Sequence, residues 1–247
     1  MVGDALTMVR IDVAMLPAEA LAIGGDCFVV VDVLRATTTI ATLFGRGLRS
    51  LLVVDDLEVA RERGRAEKRV LLGEIGGLRP DGFDYGNSPT EVAAASLADR
   101  EAVLFTTNGT RALCSLAGRG NVFAGAIVNC SAIARVAREF AHVVIVCAGQ
   151  AGGLRFGQDD FFAAGVIATR IAELAPHVEM GDATKLATEL AASPARLTAG
   201  LRDSEHGRIT AALGFDADIA FALEADTSGI APRVSGSGPG WATLEPG

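Results

Sequence analysis

The run Cys27-Phe-Val-Val-Val-Asp-Val-Leu34 constrains this chain more than any other segment. It is apolar without alternation and rich in β-branched residues. Such a run fits a strand buried on both faces, as the central strands of parallel sheets are. It carries one carboxylate, Asp32, near its end, and the heptapeptide Arg35-Ala-Thr-Thr-Thr-Ile-Ala41 that follows reads as the start of a helix. Asp32 can hold a metal or a proton. Arg35 offers five donors in a planar fork that matches phosphate or carboxylate. Thr37, Thr38 and Thr39 fall at the helix N-terminus, where free N–H groups and the helix dipole attract anions. The same residues also read as an N-cap cluster beside a surface ion pair.

Similar junctions recur along the chain. Leu71-Leu72-Gly73-Glu74 leads into a loop that ends Gly82-Phe-Asp-Tyr-Gly-Asn-Ser-Pro89. Val103-Leu-Phe105 leads into Thr106-Thr-Asn-Gly-Thr110, and Ala124-Gly-Ala-Ile-Val128 into Asn129-Cys-Ser131. Val143-Val-Ile-Val-Cys147 leads into Ala148-Gly-Gln-Ala-Gly-Gly153, then Arg155 and Asp159-Asp160. Ligands of open α/β sheets sit outside the carboxyl ends of the strands, so these loops define one candidate rim. Between them the periodicity predicts helices over 36–46, 57–68, 88–97, 110–116, 131–140 and 159–174. Alternation of strand and helix predicts a three-layer α/β/α fold around a mostly parallel or mixed sheet. The α/β core with its rim spans 1–176. Residues 177–235 read as a helical C-terminal cap on the same domain, with Arg233-Val234 rejoining the sheet. The Gly/Ser-rich segment 236–247 reads as a disordered tail.

The formal net charge of −8 argues against a nucleic-acid partner and gives no long-range steering to an anionic substrate. Any anion site must then be local. The four cysteines, at 27, 114, 130 and 147, are far apart and read as buried free thiols suited to a reducing compartment. No stretch reaches the ~18 apolar residues of a membrane span, and the N-terminus lacks the pattern of a secretion signal, so a cytoplasmic enzyme is expected. The Ala-rich C-terminal helices suggest a homodimer. Phosphatase devices such as Asp-x-Asp, a cysteine six positions before an arginine, or a Walker A loop are absent. Among the histidines, His142 and His177 read as structural or surface residues, and His206 alone is kept as a rim residue.

Taken in order, Asp32-Val-Leu-Arg-Ala-Thr-Thr-Thr39, Gly73-Glu74, Phe83-Asp-Tyr-Gly-Asn-Ser-Pro89, Thr106-Thr-Asn-Gly-Thr110, Cys147-Ala-Gly149 and Asp160-Phe-Phe-Ala-Ala-Gly165 resemble the 2-phosphosulfolactate phosphatase (ComB) family. A weaker match continues through Ser204–Gly207, Leu213-Gly214, Asp218 and Pro232. The resemblance implies Mg²⁺-dependent hydrolysis of 2-phospho-3-sulfolactate to 3-sulfolactate and phosphate, with coenzyme M synthesis as one context. The alternatives are a phosphatase or lyase on another small organophosphate, or a non-catalytic binder of small anions. Magnesium takes oxygen ligands, commonly one or two carboxylates with water and phosphate. Asp32, Glu74, Asp84 and Asp160 are the rim carboxylates, with Glu74 and Asp84 assigned to the metal and Asp32, Arg35 and Asp160 to catalysis. Arg35 and Arg155 are the clamp candidates. Asn87, Ser88, Thr107, Asn108, Gly109, Thr110 and Asn129 join the three threonines as substrate-binding candidates. Asp159 is expected to be an N-cap.

Overall fold

In the computed structural model, which describes residues 8–247, a ten-stranded mixed sheet carries eleven α-helices. Residues 1–7 of the expected core lie outside the described residues. The strands are β1 (Val9–Ala14), β2 (Cys27–Val31), β3 (Ser50–Val54), β4 (Val70–Gly73), β5 (Glu101–Phe105), β6 (Asn121–Gly125), β7 (His142–Cys147), β8 (Val178–Met180), β9 (Arg233–Gly238) and β10 (Trp241–Glu245). Their order across the sheet is β4-β5-β3-β10-β9-β6-β2-β7-β1-β8. β2 is buried along its whole length and lies between β6 and β7, both parallel to it. That is the environment its unbroken apolar run demands.

Two parallel blocks make up the sheet. β4, β5 and β3 form one, and β6, β2, β7, β1 and β8 the other. The antiparallel hairpin β9–β10 joins them, with β10 against β3 and β9 against β6. The chain from 236 onward is therefore not a disordered tail. Ala242 and Leu244 point into the core and are fully buried. Pro239 and Gly240 form the turn between the strands, and Gly240 takes the positive φ of 74° that the second central position of such a turn requires. The apparent linker composition reflects a strand built of Ser and Gly, in which Gly238 leaves room for the Trp241 ring.

One face of the sheet is covered by α1 (Pro17–Ile23), α2 (Ala36–Gly45), α4 (Pro89–Ala94) and α5 (Gly109–Leu116), whose apolar residues share a core with β2 to β7 and β10. On the other face α3 (Leu57–Glu67) covers the smaller block. There α6 (Cys130–Ala137), α7 (Gln158–Leu174), α8 (Asp182–Ala191) and α9 (Pro194–Arg202) cover the larger one. α10 (Glu205–Ala212) and α11 (Asp216–Ala222) complete the helical C-terminal region. The helix expected to run to residue 97 stops at Ala94, where Ala95 turns to extended backbone. The expected helix starts elsewhere agree with the structure to within a residue or so.

The hairpin joins the two halves of the sheet, so truncating Leu244 should cost more than an average core deletion. Leu244→Ala is expected to lower unfolding stability by about 2–4 kcal/mol in urea titration. A loss under ~0.5 kcal/mol would show that the hairpin is dispensable to the core.

Candidate active site

Asp32 follows directly on β2. Its Oδ1 accepts the N–H of Ala36 at 3.1 Å, and its carbonyl accepts the N–H of Thr37 at 2.9 Å. Two N–H groups at the start of α2, those of Ala36 and Thr37, are thus taken by Asp32 itself. The threonines do not present hydroxyls to a ligand. Thr37 Oγ1 donates to the Asp32 carbonyl at 2.9 Å and accepts the Asp32 N–H, while Thr38 Oγ1 donates to the Val33 carbonyl at 2.8 Å. All three side chains are fully buried, and Thr39 Oγ1 has no partner. Threonine hydroxyls in a first helical turn bond readily to nearby carbonyls, and here that holds the turn beneath Asp32.

A cleft of about 200 Å³ opens over this turn. Asp32 and Arg35 line it from β2–α2, Glu74 and Gly77 from the loop after β4, Asn87 from the end of that loop, Thr107 and Asn108 from the loop after β5, Gln150 from the loop after β7, and His206 and Thr210 from α10. Glu74 ties two of these loops together, its Oε1 accepting the N–H of Thr107 at 2.6 Å and its Oε2 that of Gly77 at 2.8 Å. Asp160, in the first turn of α7, does the same for the loops after β2 and β7, accepting the N–H groups of Val33 and Gly149 at 2.9 Å each. Gly109 makes the close approach possible: a Cβ there would lie 2.7 Å from Asp32 Oδ2 and 2.6 Å from the Ala36 Cβ. Asn87 is buried with its Oδ1 unpartnered at the cleft wall.

Arg35 is in the cleft wall, but its fork is largely engaged. Nη1 donates to Asp218 at 2.8 Å, Nη2 donates to the Gly77 carbonyl at 2.6 Å, and the guanidinium lies 4.2 Å from the Phe215 ring centre. Asp218 is itself fully buried and also accepts from the hydroxyls of Ser88 and Thr90. Ser88 caps α4 through the N–H of Glu91. Arg35 therefore braces the wall of the cleft that it lines, and Ser88 braces it from outside the lining.

Several expected site residues lie elsewhere. Asp84 is exposed and accepts the Leu71 N–H, fastening its loop to β4 outside the cleft. Asn129 spends its amide on Ala126, Ala124 and Ile230, closing the turn after β6. Thr110 bonds back to Thr106 within its own turn. Arg155 is exposed and paired with Glu205 at 2.7 Å. Asp159 is not a cap, since Gly157 occupies that position. It is buried, both its oxygens lack hydrogen-bond partners, and His206 Nδ1 lies 3.5 Å from Oδ2. Gln150, Asp159 and Asp218 are the site residues that sequence reasoning missed. Gln150 and Asp159 lay in a recognised rim loop and Asp218 in the weaker part of the resemblance, but none was assigned a role in the site.

The charge balance is unusual. Burial pushes the Asp32 carboxyl up to about 6, with Asp159 and Glu74 adding to the push and His206 and the Ala36 N–H opposing it. Burial, then Asp159 and Asp32, hold Asp160 well above the usual carboxylate range. Burial alone would push the His206 imidazole down, but Asp159, with Asp32 and Glu74 behind it, raises it. Among the described residues no three His, Cys, Asp or Glu side chains form a ready-made metal cage. A magnesium ion does not need one, because it keeps several waters and takes one or two carboxylates. Asp32, whose Oδ2 accepts no hydrogen bond, and Glu74 both reach the cleft, and an all-oxygen donor set fits a hard divalent cation.

Comparison with known proteins matches residues 15–237 to the family model described as 2-phosphosulpholactate phosphatase. A protein of Deinococcus radiodurans named probable 2-phosphosulfolactate phosphatase is 40% identical over 213 residues, 85% of this chain and 88% of its own length. Proteins of the same name from Pseudothermotoga lettingae and Thermus thermophilus are each 37% identical, covering 90% and 92% of this chain and 94% and 95% of their own. The chain belongs to the 2-phosphosulfolactate phosphatase family, whose members are phosphoric monoester hydrolases.

Two expectations follow from the geometry. The folded-state pKa of Asp32 is raised, so its contribution to stability is present below 3.8 and is lost as pH rises through about 6. Asp32→Asn should therefore stabilise the metal-free protein at pH 7.5, on the order of 2 kcal/mol, with no gain near pH 3.5, while phosphatase activity collapses. Urea titrations at the two pH values check this, and a variant less stable than wild type at pH 7.5 contradicts it. Arg35→Lys should lower both activity and melting temperature. Lysine keeps the charge but cannot reach Asp218 and Gly77 together, a loss of roughly 1–3 kcal/mol. An unchanged melting temperature would show that the Asp218 contact does not brace the fold.

Proposed function

We propose that this phosphatase hydrolyses 2-phospho-3-sulfolactate to 3-sulfolactate and phosphate, with Mg²⁺ held by Glu74 and Asp32 free beside it. The observation that carries the reading is the convergence of Asp32, Glu74, Asn87, Asn108, Gln150 and His206 on one small cleft, with Gly109 backbone in place of a side chain beside Asp32. The names of the relatives supply the substrate class.

When bound, Mg²⁺ neutralises charge on the transferring phosphoryl group and orients its oxygens. The chain does the rest. Arg35, fixed by Asp218 and the Gly77 carbonyl, presents its remaining positive face to the anion and cannot swing away. The amides of Asn87, Asn108 and Gln150 supply neutral hydrogen bonds for the sulfonate and carboxylate. Neutral donors suit a site whose carboxylates already carry excess negative charge. Asp32 accepts the proton of the attacking water. Leu34, Ile209 and Leu213 add an apolar stretch to the cleft wall, and the lower polarity there strengthens each interaction beside it.

The test is phosphate release from synthetic 2-phosphosulfolactate beside 2-phospholactate and other small phosphate monoesters, with and without EDTA. The highest kcat/KM is expected on 2-phosphosulfolactate, with release abolished by the chelator and restored by Mg²⁺. Full turnover in chelator would remove the metal from the reading, and preference for another ester would reassign the substrate.

A further inference from the structure

Asp159 is nearly fully buried, yet neither of its oxygens accepts a hydrogen bond from an N–H or O–H group. A buried carboxylate without partners is costly, so a group that offsets it is expected beside it. The one cation-forming side chain recorded beside it is His206, with Nδ1 3.5 Å from Oδ2. His206 is presented by α10, whose start is set by two local features. Ser204 caps the helix through the N–H of Gly207, and Gly207 lies so close to the Leu201 carbonyl that a Cβ would be 1.9 Å from it. The helix thus sits hard against α9, with its first turn at the cleft. Nδ1 faces Asp159, which leaves Nε2 as the ring nitrogen turned to a ligand, and His206 lines the cleft that Asp32 and Arg35 line from below.

Hydrolysis of an alkyl phosphate expels an alkoxide, a poor leaving group. In a loose transition state charge builds on that bridging oxygen. Asp32, Glu74 and Asp160 cannot supply the missing proton: Asp32 serves the attacking water, and Glu74 and Asp160 accept backbone N–H groups at both oxygens. We propose that His206, oriented by Asp159, is the acid that protonates the leaving C2 oxygen of the substrate. This rests on the phosphatase reading and deepens it.

The bond from phosphorus to the bridging oxygen breaks, and its electron pair stays on that oxygen. The oxygen takes the proton of Nε2 and leaves as the hydroxyl of 3-sulfolactate. The water oxygen bonds to phosphorus, its proton passes to Asp32, and that proton returns to His206 after the products leave. The groups around the imidazole are Asp159 from α7, 3.5 Å from Nδ1, and across the cleft Asp32 from the end of β2 and Glu74 from the end of β4; Asp159 is the one that favours its charged form whether or not a cation is bound. The neighbouring Glu205 is engaged by Arg155. In this arrangement His206 is the catalytic residue and Asp159 a positioning residue.

A leaving-group comparison tests the assignment. His206→Gln should lower kcat on 2-phosphosulfolactate by about 10²-fold or more, but kcat on p-nitrophenyl phosphate, whose leaving group needs no acid, by less than ~5-fold. If 2-phosphosulfolactate is not hydrolysed by wild type, the substrate reading fails, and the same comparison is run on whichever alkyl monoester is turned over. The wild-type kcat profile should fall on its alkaline side, and that limb should be missing in His206→Gln, which provides a readout even if the aryl ester is a poor substrate. Asp159→Asn should move the same limb to lower pH while KM changes little. Circular dichroism confirms that both variants are folded. Equal losses on alkyl and aryl esters, or an alkaline limb that survives in His206→Gln, would overturn the proposal.

Discussion

Negative charge packed at the carboxyl ends of the strands is the constraint on which the rest of this structure depends. Asp32, Asp159 and Asp160 are nearly inaccessible to solvent, and Asp159 stands close enough to weaken the acidity of both Asp32 and Asp160. The chain manages this with backbone N–H groups. Asp160 gathers those of Val33 and Gly149, Asp32 that of Ala36, and Glu74 those of Gly77 and Thr107. The same carboxylates that make the site reactive therefore also fix the loops that build it. Removing Asp160 or Glu74 changes a charge and loosens two segments at once.

The cationic side of the site is correspondingly thin. Arg35 is shared between Asp218, Gly77 and Phe215, so the C-terminal helices reach into the rim and hold its one buried arginine in place. A buried pair of this kind contributes little net stability compared with a well-packed apolar substitute, and its value lies in fixing geometry. A free arginine would be drawn to the surrounding carboxylates, whereas a tethered one keeps its position relative to the cleft. The helical region after Met180 thus supplies both Asp218, which holds Arg35, and His206, which faces Asp159.

Much of this was legible in the chain itself. The unbroken apolar character of 27–34, the polar loops after each strand and the glycines between them place the sheet and one end of it as the site. What escaped is side-chain direction. Thr37, Thr38 and Thr39 carry ligand-like hydroxyls, but in a first turn packed under a strand those of Thr37 and Thr38 find carbonyls before they find a ligand, and that of Thr39 is buried without a partner. Asp159 and Asp160 are adjacent in sequence and lie about 100° apart around a helix, so one braces loops while the other faces His206. Asp84 and Arg155 have the right chemistry and the wrong reach. The end of the chain misleads by composition. Ser235-Gly-Ser-Gly238 looks like a flexible linker, whereas the alternation of buried Ala242 and Leu244 with their neighbours, a period-two signal, is too short to stand out.

The position of the β9–β10 hairpin also sets an order of events. Eight strands are made before Arg233, and they form two blocks that share no ladder with each other. Each block can pair internally as it emerges during synthesis, but the edges of β3 and β6 stay open until Arg233–Glu245 arrives between them. Those open edges are templates for unwanted pairing with other chains. The closing step joins segments nearly two hundred positions apart for β10 with β3, the kind of distant contact that slows folding. A phosphatase built this way is vulnerable during its own biogenesis, in the interval between completing its last helix and sliding its final hairpin into the middle of the sheet.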